Sequence, residues 1–134
     1  MNKLKDKGFK VLVITNQPDI GNKLLKKSTL KEMHSILKAK VPLDKIYFCP
    51  HTRNDRCKCR KPKPGMIIKA SNELKIDLKE SYVVGDRKID IDAGIKAGCK
   101  TIFVNNNYYE KKPTKQKKNV KSLHDAVKYI LKKD

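Results

Sequence analysis

No stretch of this 134-residue chain approaches the roughly 18 consecutive apolar residues that a membrane span needs. The hydrophobic content of 38% and mean hydropathy of −0.68 suit a soluble protein. The opening segment MNKLKDKGFK lacks the apolar core of an export signal, so a reducing cytoplasm is the expected compartment. In that compartment close-set cysteines bind metal more often than they form disulfides. Arginine is scarce too: Arg53, Arg56, Arg60 and Arg87 are the only four among 33 basic residues. Readers of base edges depend on the planar arginine fork, whereas lysine is a hydrated point charge. With lysine spread along the chain and no recognised nucleic-acid module, the net charge of +19 marks no specific nucleic-acid partner. It does create a positive field that attracts anionic ligands and weak, salt-sensitive nucleic-acid binding.

Short apolar runs alternate with helical patterns. VLVIT (residues 11–15), KIYFC (45–49), YVVGD (82–86) and TIFVN (101–105) read as strands, the first with the β-branched composition of one buried on both faces. Thr29 and Glu32 have capping-box spacing ahead of a helix whose Leu30, Met33 and Leu37 share a face. Pro64 opens a helix turning Ile67, Ala70 and Leu74 inward, and a short helix ending at Ala97 stops at Gly98. Ser122 with Asp125 caps a last amphipathic helix. Strands separated by helices imply a parallel sheet in a doubly wound α/β domain spanning residues 1–134. The Asn- and Lys-rich segment 105–121 reads as a mobile, solvated loop.

In such folds ligands sit beyond the carboxyl ends of the strands. There the chain places Thr15-Asn16-Gln17, whose hydroxyl, amide and side-chain donors suit a phosphoryl oxygen. Asp86 fits a carboxylate ligand for Mg²⁺, with helix capping as its structural alternative. Cys49, His51, Cys57 and Cys59 form a Cys₃His set suited to structural, tetrahedral Zn²⁺. Neither pair has zinc-finger spacing and no recognition helix follows, so the set reads as a clip closing the 49–59 loop. Arg60 and Lys61 follow the clip at once and make a candidate phosphate clamp. Cys99 reads as a small buried hydrophobe.

VITNQPDIG, CPH…CKCRKPKPGM and YVVGDRKIDIDAGIKAGCKTIFV together resemble the haloacid-dehalogenase (HAD) superfamily of phosphatases. The similarity is to the branch of D-glycero-D-manno-heptose bisphosphate phosphatases and histidinol phosphatases, and it covers nearly the whole chain. The resemblance implies a three-layer Rossmann-like fold with helices on both faces of a parallel sheet. It also implies hydrolysis of a sugar-phosphate monoester (heptose bisphosphate first, histidinol phosphate second) with Mg²⁺ and a structural Zn²⁺. By position, Thr15 and Asn16 would hold the phosphoryl group, with Gln17 beside them; Lys61 would neutralise it and Arg60 would contact the substrate. Asp86 would ligate Mg²⁺ and Asp90 would support it from behind.

The family opens with a strand ending in Asp-x-Asp-Gly, whose first Asp is the nucleophile and whose second is the general acid and base. The 134 residues contain no such motif, and Asp6 falls in a helix tail. The expectation is therefore an N-terminally truncated core lacking its central strand, inactive alone and dependent on a missing N-terminal segment or a partner chain. The alternatives are a catalytically inactive sugar-phosphate or partner-binding protein and, behind it, a basic nucleic-acid binder.

Overall fold

Two parallel ladders carry the chain in a computed structural model that describes residues 1–52 and 55–133. Arg53 and Asn54, inside the expected 49–59 clip, lie outside the described residues, as does Asp134. The polypeptide forms two compact units, Met1–Arg60 and Lys61–Asp134.

In the first unit a short helix α1 (Asn2–Asp6) buries Leu4 and does include Asp6. Strand β1 (Leu12–Asn16) follows, then a single helical turn α2 (Pro18–Gly21), helix α3 (Lys27–Lys40) and strand β2 (Lys45–Cys49). β1 and β2 pair in parallel from Leu12 opposite Lys45 to Asn16 opposite Cys49, with α3 as the crossover. The start of this ladder is fixed by Asp44. Its backbone N–H donates to the Val11 carbonyl at 2.7 Å. Its carboxylate accepts the Val11 N–H at 2.7 Å and pairs with the Lys5 ammonium. One side chain thus joins α1, β1 and β2.

Helix α3 departs from the sequence expectation. It begins at Lys27 with Lys26 as its cap, so the Thr29–Glu32 pair lies inside the helix. Leu30 is 1% exposed, but Met33 is 51% and Leu37 37% exposed. A two-stranded ladder is too narrow to cover a 14-residue helical face, and Leu30 is the one residue of α3 that is buried.

In the second unit helix α4 (Gly65–Leu74) buries Met66, Ile67 and Ala70 and leaves Leu74 half-buried. A 3₁₀ turn (Leu78–Glu80) leads into β3 (Tyr82–Gly85), helix α5 (Lys88–Ala97) and β4 (Lys100–Val104). α5 ends at Gly98, whose φ of +86° is the left-handed conformation expected of a helix-terminating glycine. α5 lies close on the sheet: a Cβ at Gly94 would come within 2.8 Å of Thr101 Cγ2 and 2.9 Å of Val83 Cβ. β4 is the centre of a three-stranded parallel sheet, with Thr101 to Val104 all buried, so both of its faces are covered. Its far neighbour, β5 (Lys118–Val120), falls within the segment expected to be a mobile loop. Three polar-flanked residues carry no apolar alternation, and backbone pairing makes them a strand: Lys117 N–H donates to Thr101 and Asn105 N–H to Val120, at 3.0 and 2.9 Å. Helix α6 (Leu123–Lys133) closes the chain, burying Ala126 and Ile130, and Ser122 Oγ accepts the Asp125 N–H at 3.1 Å as its cap.

Parallel strands joined by helices give the α/β class expected from the sequence.

Asp44 makes a pH-dependent contribution. Burial pulls its carboxyl upward, but the hydrogen bonds from Lys5 and from the Val11 N–H outweigh it and hold the group below its ordinary 3.8. A lowered folded-state value means stabilisation present in full above the unfolded value and lost as pH falls through the folded one. Asp44→Ala is expected to destabilise the first unit by about 1–3 kcal/mol at neutral pH. In denaturant melts the gap from wild type should stay constant from neutral pH down to about pH 5 and close below about pH 4.

Candidate active site

In the first unit, the end of β2 and the clip share Cys49, which lies beside the end of β1. Asn16 stands opposite Cys49 in the ladder, and the Gln17 N–H donates to the Cys49 carbonyl at 2.7 Å. Gln17 Nε2 donates to Thr15 Oγ1 at 3.2 Å and Thr15 Oγ1 donates to the Asn16 carbonyl at 3.4 Å, so the three candidate phosphoryl-binding residues are tied together. The Cys49 side chain turns into the cluster: its sulfur is 3.6 Å from Cys57 Sγ, 3.3 Å from His51 Nδ1 and 2.7 Å from Cys59 Sγ. His51 Nδ1 is also 3.3 Å from Cys59 Sγ, and the four ligand atoms all lie within 4.8 Å of one another. All four cysteines are unbridged.

Three features hold the clip. A Cβ at Gly21 would meet the Pro50 carbonyl oxygen at 2.5 Å, so this glycine lets α2 close on the Cys-Pro-His turn. Asp55 accepts the Thr52 N–H at 2.8 Å, and Arg60 Nη1 donates to the His51 carbonyl at 3.3 Å. Arg60, the expected substrate contact, is therefore directed by the clip itself.

The donors fit a tetrahedral thiophilic cation. Zn²⁺ bonds of about 2.3 Å to sulfur and about 2.0–2.1 Å to nitrogen separate neighbouring ligand atoms by about 3.5–3.8 Å. Cys49–Cys57 meets that spacing, the two histidine contacts come near it, and Cys49–Cys59 would open by about 1 Å. Burial, with hydrogen bonding to Cys59, pushes the Cys49 thiol up to about 12, and burial raises Cys59 as well. Burial also acts to raise Cys57, but donation from the Arg60 backbone and the neighbouring thiols brings it down to about 7. One sulfur is thus poised to lose its proton, and a cation would displace the protons of the other two. Cys99, in the second unit, is not a member of the set; it is half-buried, its thiol raised by burial.

In the second unit, Lys61 Nζ lies 2.6 Å from Asp90 Oδ1, with the two side chains only 12% and 11% exposed. The other oxygen, Asp90 Oδ2, accepts the Arg87 N–H at 3.1 Å at the start of α5, where the helix dipole favours a negative charge. Gly85 makes room for this carboxylate: a Cβ there would stand 2.3 Å from Asp90 Cβ and 2.6 Å from Oδ2. Asp90, expected behind a cation at Asp86, bonds to Lys61 and to Arg87 among the described residues.

Asp86, at the carboxyl end of β3, accepts two hydrogen bonds on Oδ2, from Tyr108 Oη at 2.9 Å and Asn106 Nδ2 at 3.2 Å. Its oxygen chemistry suits a hard cation such as Mg²⁺. Next to it, Arg87 forks onto Glu110, with Nη2 3.1 Å and Nε 3.3 Å from the carboxylate, and that hydrogen bonding raises the guanidinium further. Sequence reasoning did not find Asn106, Tyr108 or Glu110. The one signal was the Tyr108–Tyr109 pair, two aromatics in an otherwise polar run.

Comparison with known proteins shows the family and the fold. Residues 58–130 match the HAD-hydrolase-like family, and residues 1–90 match the polynucleotide kinase 3 phosphatase family. A D-glycero-β-D-manno-heptose-1,7-bisphosphate 7-phosphatase of Helicobacter pylori strain J99 is 36% identical over 142 residues, covering 92% of this chain and 76% of that protein. The Yersinia pestis enzyme of the same name is 37% identical over 110 residues, covering 73% of this chain and 58% of its own length. The solved D,D-heptose 1,7-bisphosphate phosphatase from B. bronchiseptica, complexed with magnesium and phosphate, matches with a TM-score of 0.88. It is 25% identical and covers 98% of this chain and 79% of its own.

The Gly85–Asp90–Lys61 stack makes a direct prediction. Gly85→Ala should force Asp90 aside, lower the melting temperature and raise the acylation rate of Lys61, read by peptide mass spectrometry after brief acetic anhydride treatment. Asp90→Asn should raise Lys61 acylation as well, since an amide cannot hold the ammonium as a carboxylate does. Unchanged Lys61 reactivity in both variants would contradict the pairing.

Proposed function

This chain belongs to the HAD-hydrolase-like family, and from that premise we propose that it carries the phosphoryl-binding part of a phosphatase for heptose 1,7-bisphosphate. The observation that carries the reading is the Lys61–Asp90 pair: a lysine whose side chain is mostly covered and whose ammonium is already oriented is a preset counter-charge for phosphoryl oxygens. The choice of heptose rests on relatives of that name at 32–37% identity.

Thr15 and Asn16 in the first unit, with Gln17 beside them, donate to the phosphoryl oxygens. Arg60, held to the His51 carbonyl, contacts the sugar phosphate. Lys61 in the second unit neutralises charge on the phosphoryl group. Asp86 holds Mg²⁺, which when bound stabilises charge on the transferring group. Zn²⁺ in the Cys49, His51, Cys57 and Cys59 set has a structural role, keeping Arg60 in place.

The Asp-x-Asp-Gly carboxylates are not among these 134 residues. The proposal therefore assigns the nucleophile and the general acid to a segment outside them or to a partner chain, because an aspartyl-phosphate needs that carboxylate. The same observation supports a second reading, a sugar-phosphate binder without turnover.

Assayed alone with Mg²⁺, the 134-residue chain is expected to release no phosphate from heptose bisphosphate or histidinol phosphate. Loss of a nucleophile costs ~10⁶-fold in a comparable covalent mechanism. Adding a peptide that supplies a strand ending in Asp-x-Asp-Gly should restore release, heptose bisphosphate first, and Lys61→Ala should abolish it. Turnover by the chain alone contradicts the assignment of the nucleophile. Saturable heptose bisphosphate binding with no release in the presence of the peptide establishes the second reading.

Elemental analysis should find about one Zn²⁺ per chain. Cys57→Ser should lose most of it and melt at lower temperature. A zinc-free protein with all its thiols reactive would contradict the clip.

A further inference from the structure

The 105–110 segment does more than link β4 to β5. Two of its side chains, Asn106 and Tyr108, donate to the same oxygen of Asp86, at 3.2 and 2.9 Å. A third, Glu110, takes the guanidinium of Arg87, the very next residue, through a forked ion pair. The backbone supports the same placement, because Asn105 Oδ1 accepts the Asn107 N–H at 3.0 Å and Asn107 has a φ of +58°. That tight turn brings Tyr108 round to β3. An exposed carboxylate ordinarily rotates freely about its last bond. Here one oxygen is held by two donors of different geometry, and the carboxylate has no hydrogen bond on Oδ1 among the described residues.

We propose that Asn106 and Tyr108 are positioning residues for Asp86. They hold Oδ2 and thereby aim Oδ1 at a divalent cation, with the Arg87–Glu110 pair as the anchor of this latch. The cation half of the claim rests on the assignment of Mg²⁺ to Asp86 above; the latch itself rests on the hydrogen bonds. Neutral donors suit the task. They fix the orientation of the carboxylate without cancelling the charge a cation needs, which a lysine in the same place would do. In a chain rich in lysine, a segment that places Asn and Tyr on the carboxylate, and keeps its own acid Glu110 on Arg87, is arranged in that sense.

The test is NMR of the zinc-loaded chain labelled with ¹³C at the aspartate carboxyls. The Asp86 resonance is assigned by its disappearance in Asp86→Asn. In the absence of Mg²⁺, Tyr108→Phe and Asn106→Ala should each move that resonance, while Tyr109→Phe, which changes the neighbouring phenol, should leave it in place. On titration, Mg²⁺ should shift the Asp86 resonance in the wild type, and Tyr108→Phe should need about tenfold more Mg²⁺ for the same shift, as loss of an outer partner to a metal ligand typically does. An Asp86 resonance identical in wild type, Tyr108→Phe and Asn106→Ala overturns the latch, whatever Mg²⁺ does. A resonance that the two variants move but Mg²⁺ never does leaves the latch standing and overturns the cation assignment. Equal Mg²⁺ titrations in wild type and both variants overturn the aiming role.

Discussion

A lysine side chain that is only 12% exposed keeps little water around its charge, so a carboxylate stands against it. Much of the second unit follows from that requirement. Asp90 can meet Lys61 only from the first turn of α5, and α5 can approach only because Gly85 presents no Cβ. The remaining carboxylate oxygen is satisfied by the Arg87 N–H, so the pair leaves no lone acceptor buried. Removing one partner leaves a desolvated charge, whereas keeping both holds the lysine in a single orientation. On the proposed function, a substrate phosphate would exploit a charge whose desolvation was completed during folding.

The first unit repeats the logic with sulfur. Cys49 belongs to the end of β2 by its backbone and to the cluster by its side chain, so whatever holds the thiols also holds the Thr15-Asn16-Gln17 end of β1. A metal would replace thiol protons shared at close range with four strong bonds, which is how a loop without a hydrophobic core acquires one geometry.

Chemistry concentrated in a few adjacent residues was legible in the sequence. The Cys-x-His…Cys-x-Cys cluster converges, and the β-branched runs are the strands β1, β3 and β4. What could not be read depended on partners far along the chain. Met33 and Leu37 have the spacing of a buried face, yet a narrow ladder cannot cover them. Lys118–Val120 has no strand signature and becomes one by pairing with β4. Asn106, Tyr108 and Glu110 look like solvated loop until the ends of β3 and β4 stand side by side, about 20 residues apart in sequence but adjacent in register. Composition describes such a segment as mobile because composition carries no tertiary hydrogen bonds.

The central claim is that phosphate is recognised by one preset lysine rather than by the field of a chain with a net charge of +19. Calorimetric titration of inorganic phosphate into the wild type, Lys61→Ala and Lys132→Ala separates the two, because each substitution removes the same single charge. The account predicts saturable binding at about one site in wild type and Lys132→Ala, with loss of at least tenfold in affinity for Lys61→Ala, the size expected for a charge-assisted contact. Equal affinity in all three would contradict it and return phosphate binding to the diffuse positive field.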